Sequence, residues 1–169
     1  MTYKTLIVAI GLALATAGLR AQGGDQAFVT KLAGVNMAEV ELGTLAKSKA
    51  SSRDVKAFAQ RMIDDHRKAN NELKAVADRK RFTWPTALPA DAVALKDKLS
   101  KLSGSAFDHA YVDAMVMGHG EALSEVKTEA QSGSDPDVKA WAMKASSTVQ
   151  AHLTHAQDLQ KEHNKTATH

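Results

Sequence analysis

Apolar residues recur along the chain in four long runs, each confined to one helical face. The first run falls at Phe28, Leu32, Val35, Leu42 and Ala46, the second at Val55, Ala59, Met62, Ala69, Leu73 and Val76. The third falls at Val112, Met115, Ala122 and Val126, and the fourth at Ala142, Ala145, Val149, Ala156 and Leu159. Spacings of three and four residues trace a stripe with the period of an α-helix that buries one side. Helices are therefore expected over 27–49, 53–79, 106–131 and 136–161. Ser51 ahead of Asp54, Ser105 ahead of Asp108 and Ser134 ahead of Asp137 fit helix starts of the Ser-x-x-acid form. Gly104 and Gly133 fit the stops of preceding helices. Between the second and third helices, Pro85 and Pro89 mark a loop, while Leu95, Leu99 and Leu102 predict a short amphipathic helix.

Sliding the chain by 83 residues lays Ala27-Phe28-Val29 on Ala110-Tyr111-Val112 and "DVKAFA" (54–59) on "DVKAWA" (137–142). Both halves then read as one helical hairpin used twice. Two hairpins that each bury a stripe predict an all-α, ferritin-like four-helix bundle, with the short extra helix in the crossover.

Each stripe is interrupted once, by an ionisable residue: Glu39, His66, His119 and His152. All four lie near the middle of their helices, so they share a level however the hairpins are joined. One carboxylate and three imidazoles converging in a core suit a divalent transition metal such as Zn, Fe, Cu or Mn. A buried polar layer, with each histidine satisfied by hydrogen bonds, fits the same pattern. Met62 with His66 and Met115 with His119 are spaced i,i+4, which admits Cu(I) or haem ligation as well as plain core filling. His152 and His155 form a surface-type pair, and Asp64 and Asp65 are expected to face solvent.

Composition narrows the function classes. The opening residues 1–21 combine Lys4, an apolar run from Leu6 and small residues ahead of Ala21, the layout of a secretory signal peptide. The expected organisation is a signal peptide at 1–21, a linker at 22–26, the bundle at 27–161 and a frayed tail at 162–169. Without Lys4 and Arg20 the mature chain carries 20 basic and 19 acidic residues, a net charge of +1. The charges alternate along helix faces, so no nucleic-acid partner and no mature transmembrane span are expected. There is no cysteine, which excludes disulfides and thiol chemistry. Hydrolase, P-loop and dinucleotide fingerprints are absent from the sequence.

The segments "NMAEVELGTLA", "DVKAFAQRMIDDHRKANNEL", "FDHAYVDAMVMGH" and "DVKAWAMKASSTVQAHLTHAQ" resemble the exported bacterial family called domain of unknown function 4142. The resemblance spans about Phe28 to Leu159 and implies a ferritin-like bundle in the periplasm or secreted, often labelled an outer-membrane protein. It implies that the family's motif histidines are His66, His119 and His152, with Glu39 as its helix-one glutamate. Where the family tends to have Asp before the third-helix histidine, this chain has Gly118. A di-iron site would need carboxylates three residues before the histidines, where Ile63, Val116 and Val149 stand. The expected role is accordingly a non-enzymatic metal-binding or envelope-stress protein with an envelope protein as the class of partner. A structural or interaction bundle and a metal-dependent oxidoreductase are the alternatives.

Overall fold

The structure, a computed structural model, describes residues 12–166, with side chains over 23–165. It has five helices: α1 (Leu12–Lys49), α2 (Arg53–Lys80), α3 (Ala90–Ser100), α4 (Gly104–Ser132) and α5 (Pro136–Thr166). The four long helices and the short crossover helix are those the stripes predict. Two ends differ. The expected linker at 22–26 is helical, and α5 runs to Thr166 where a frayed tail is expected from 162. Buried Asp25 ties down the first end, and at the second His163 packs on His109 with ring centroids 5.0 Å apart. Of the expected signal peptide, residues 1–11 lie outside the described residues. Among the described residues no helix is long and apolar enough to cross a membrane.

Helix α1 packs on α2 and α4 on α5, and the hairpins join through α1 against α4 and α2 against α5. Buried carboxylates reveal the chain directions. Asp108, at the start of α4, accepts the backbone N–H of Ser51 and Ser52 in the α1–α2 turn, and the Ser51 hydroxyl. Asp25, near the start of the packed part of α1, accepts the N–H of Ser134 and Asp135 in the α4–α5 turn. Thus α4 starts at the end where α1 finishes, and the segment between α2 and α4 must travel the length of the bundle. One long crossover of this kind is compatible with a ferritin-like arrangement. Buried Leu99 docks α3 over the lower half of the core.

These two clamps are the same interaction, each residue displaced by 83 positions. The repeat extends to the aromatic packing. Phe28 meets Trp141 edge-on at 6.1 Å, and their counterparts Tyr111 and Phe58 meet edge-on at 6.4 Å. The caps fall one residue later than the Ser-x-x-acid pattern places them. Ser52 accepts the N–H of Asp54 and Val55, and Asp135 accepts those of Asp137 and Val138. Ser51 and Ser134 instead donate to the clamps, beside the N–H groups of the capping residues Ser52 and Asp135. Ser105 lies inside α4, which Ser103 precedes and Gly104 opens with φ of +62°. At Gly43 a Cβ would sit 2.9 Å from Ile63 Cγ1, so glycine there lets α1 and α2 approach closely.

The buried apolar residues divide into two clusters, one around Leu73, Val126 and Trp141, the other around Phe58, Met62 and Tyr111. The residues that interrupt the stripes lie between them. Each clamp is a buried, charge-assisted set of bonds, so Asp108→Ala and Asp25→Ala should each cost about 2–4 kcal/mol in urea unfolding. The clamps sit at opposite ends of the bundle, so the double variant should lose the sum to within about 0.5 kcal/mol. Losses below about 1 kcal/mol for both single variants would show that apolar packing alone sets the hairpin register.

Candidate metal centre

His66 on α2, His119 on α4 and His152 on α5 converge at mid-bundle, with exposures of 6%, 2% and 1%. Their ring centroids stand 5.3 to 5.7 Å apart, and one ring nitrogen of each lies within 4.8 Å of the other two. The helical stripes account for this convergence, because each ring occupies a seam position and the clamps bring the seams into register.

What orients the rings is a second set of residues. His66 Nδ1 donates to Asn36 Oδ1 at 2.8 Å, and Asn36 is itself fixed by donating Nδ2–H to Asn70 Oδ1 at 3.2 Å. His119 Nδ1 donates to the Met115 carbonyl at 2.9 Å. His152 Nε2 donates to Asp65 Oδ2 at 2.8 Å, and Asp65 is steadied by Arg61 at 3.3 Å. The Met115 carbonyl and the Asp65 carboxylate only accept, so the nitrogens facing them carry the protons. The remaining nitrogens, His66 Nε2, His119 Nε2 and His152 Nδ1, are buried, lack a hydrogen-bond partner and are left with free lone pairs. One nitrogen held by an outer acceptor and the other free is the arrangement of metal-binding histidines.

Glu39 on α1 lies at the same level. It is buried and its Oε2 has no hydrogen-bond partner. Its carboxylate is not among the atoms within 4.8 Å of one another, so α1 contributes from the edge of the cluster. Glu39 and the three histidines line one cavity of about 110 Å³.

Burial governs the protonation states. It pushes His66 well below the ordinary histidine range, with His119 and His152 adding to the effect. It lowers His152 to about 4, against the opposing pull of Asp65. It raises the carboxyl of Glu39, which His119 partly offsets. His66 and His152 are thus neutral at ordinary pH, the form that binds metal. A tetrahedral ion with bonds of 2.0–2.1 Å needs its ligands about 3.3 Å apart, so ring rotations of roughly an ångström draw the three nitrogens into range. Donor set, tautomers and burial fit a divalent transition ion.

Two of the orienting residues are not visible as such in the sequence. Asp65 is expected in solvent, yet it is half-buried and holds His152, while Asp64 is exposed. Asn36 sits one turn before Glu39 on α1, and a polar residue beside an interrupted stripe was its only signal. Gly118 in place of Asp does not leave His119 unsupported, because the Met115 carbonyl orients that ring. Of the other candidates, Met115 enters through its backbone, and His155 packs edge-on against Phe58 at 5.0 Å.

Residues 12–159 match the family model described as a domain of unknown function, DUF4142. Among solved structures, a DUF305 fragment from Deinococcus radiodurans is 14% identical at a TM-score of 0.73, covering 82% of this chain and 95% of its own. A DUF305 protein from Streptomyces coelicolor, named as secreted, is 15% identical at a TM-score of 0.71, covering 85% and 92%. At such identities the likeness is one of fold. No curated protein matches the chain.

The protonation states give a test on the metal-free protein. His152 has a folded pKa below its unfolded value of 6.5, so the unfolded chain binds the proton more tightly. Its stabilising share is complete above pH 6.5 and drains away as pH falls towards about 4. Glu39 and Glu129 act in the opposite sense, since both carboxyls are raised, Glu129 to about 7 by burial and the adjacent Asp25. A variant comparison isolates the histidine. Between pH 6.5 and 4, wild type should lose roughly 2–3 kcal/mol relative to His152→Gln, read by urea unfolding. An unchanged difference across that range would mean His152 titrates normally.

Proposed function

The chain belongs to the DUF4142 family, which supplies no reaction, and we propose that it is a metal-binding protein of the bacterial envelope, its ion held in the bundle core. His66, His119 and His152 supply nitrogen ligands and Glu39 the carboxylate. The observation that carries this reading is the set of four buried atoms without partners, Glu39 Oε2, His66 Nε2, His119 Nε2 and His152 Nδ1, lining one cavity. A buried polar atom left unpaired costs about 1–3 kcal/mol, and a bound cation satisfies all four together. Export is supported by the charged, then apolar, then small-residue layout of residues 1–21 and by the secreted description of one structural neighbour.

The role is binding, not a named reaction. The expected ion is Zn, Fe, Cu or Mn, with imidazole and carboxylate donors favouring the borderline metals. A second reading, a structural polar layer, draws support from the mutual packing of the three rings at 5.3 to 5.7 Å. Both readings need the histidines buried, and they part on whether an ion adds stability.

Thermal unfolding of metal-stripped protein, titrated in turn with Zn, Cu, Mn and Fe(II), tests this. One ion should stabilise the fold by about 2.7 kcal/mol at a hundredfold excess over its Kd. His66→Ala should abolish the shift, and Asn36→Ala, which removes only the orienting acceptor, should weaken affinity roughly 10–100-fold. No shift with any ion, together with a large loss of stability in His66→Ala, would assign the layer a structural role.

A further inference from the structure

The cavity that touches the four donors is larger than an ion needs. About 110 Å³ is room for several water-sized groups, and the repeat explains where the room comes from. Shifted by 83 residues, Glu39 corresponds to Ala122, His66 to Val149 and His152 to Ala69. All three counterparts line the cavity, and Ala145, the counterpart of Met62, lines it too. The fourth donor, His119, has Asn36 as its counterpart, which orients His66, so the repeat keeps one polar partner and replaces the other three donors with Ala69, Ala122 and Val149, which leave space beside them.

The surroundings define what that space accepts. A divalent ion with three neutral imidazoles and one carboxylate keeps a net charge of +1. Asp65 does not cancel that charge, because it is paired with Arg61 at 3.3 Å. A net charge in an apolar interior is costly until a counter-charge arrives. The lining beyond the donors includes Leu32 and Val126, which offer no hydrogen bonds, and Trp141, whose indole offers a single N–H, too few donors for a large hydrated or multiply charged anion. Exposed Lys68 and Lys144 stand at the opening between α2 and α5, Lys144 paired with Glu72 at 2.7 Å. An ion that holds the three nitrogens and Glu39 keeps a fifth position open to an exogenous group, because such sites expand from four- to five-coordinate.

We propose that the cavity beside the three histidines is a binding site for a small monoanion, of azide or hydrogencarbonate size, which coordinates the bound metal from the side of Ala69, Ala122 and Ala145. This rests on the metal-binding reading above. The anion enters between Lys68 and Lys144, takes the open coordination position and neutralises the centre. Phosphate and sulfate are excluded by charge and by the apolar wall.

The test uses Co(II), whose visible absorption reports coordination, and azide in chloride-free buffer. Wild type loaded with Co(II) should change spectrum saturably on azide addition and should not respond to sulfate at matched ionic strength. Ala145→Met places at 145 the residue type found at position 62 and fills the cavity. It should keep Co(II) affinity within about threefold and weaken azide binding by more than about tenfold. Ala122→Leu gives a second, independent filling from α4, should the first variant fold poorly. If Co(II) binds and azide leaves its spectrum unchanged, the site is closed and the anion proposal fails while metal binding stands. An azide response that survives both filled variants also overturns it. If Co(II) does not bind, the metal reading itself fails and takes this inference with it.

Discussion

The register of one hairpin against the other depends on a buried carboxylate at each end of the bundle. Asp108 and Asp25 each accept backbone N–H groups from the turn of the opposite hairpin. Apolar stripes alone permit sliding, because a helix moved by one turn, about 5.4 Å, presents a similar face. A displacement of that size would separate nitrogens that now lie within 4.8 Å of one another. The clamps, far from the histidines along the helix axes, are what hold three helices at a common level. They also satisfy turn N–H groups that precede helices and have no partner within their own hairpin.

The bundle and the identity of its polar layer were legible in the sequence, for a shared reason. A helix that buries one face writes its period into the chain, and a histidine on that face breaks a pattern the eye is already following. Glu39, His66, His119 and His152 are found this way, and all four are buried. The residues that make the layer chemically specific obey no period. Asp65 lies one position off the α2 stripe and matters only because α5 is its neighbour, which is a fact of topology. Asp25 falls in a stretch that reads as linker, and Asp108 looks like an ordinary helix-start acid until the turn opposite it is known. The caps slipped by one residue for the same reason, since Ser51 and Ser134 face a cross-hairpin acceptor that no local pattern shows.

The fold of the DUF305 neighbours and the DUF4142 assignment describe a scaffold, and a scaffold does not fix chemistry. The chemistry here comes from breaking a symmetry. The hairpins repeat their clamps and their aromatic pairs, yet at the middle level His66, His152 and Glu39 have Val149, Ala69 and Ala122 as counterparts. A strictly repeated layer would crowd twice as many polar groups into the core. His119 alone keeps a polar counterpart, Asn36, which holds His66, and the smaller residues at the other three positions leave space beside the oriented donors.

The distribution of the donors over the chain has a consequence for timing. His152 stands on the last helix and Glu39 on the first, so no fragment emerging in order from a ribosome or a translocation pore contains the complete set until the final hairpin docks. On the metal-binding reading, the ion is therefore chosen where folding ends. Affinity alone would hand such an imidazole-rich set to copper in most mixtures. On that reading, late assembly would give the decision to the metal supply met by the finished chain.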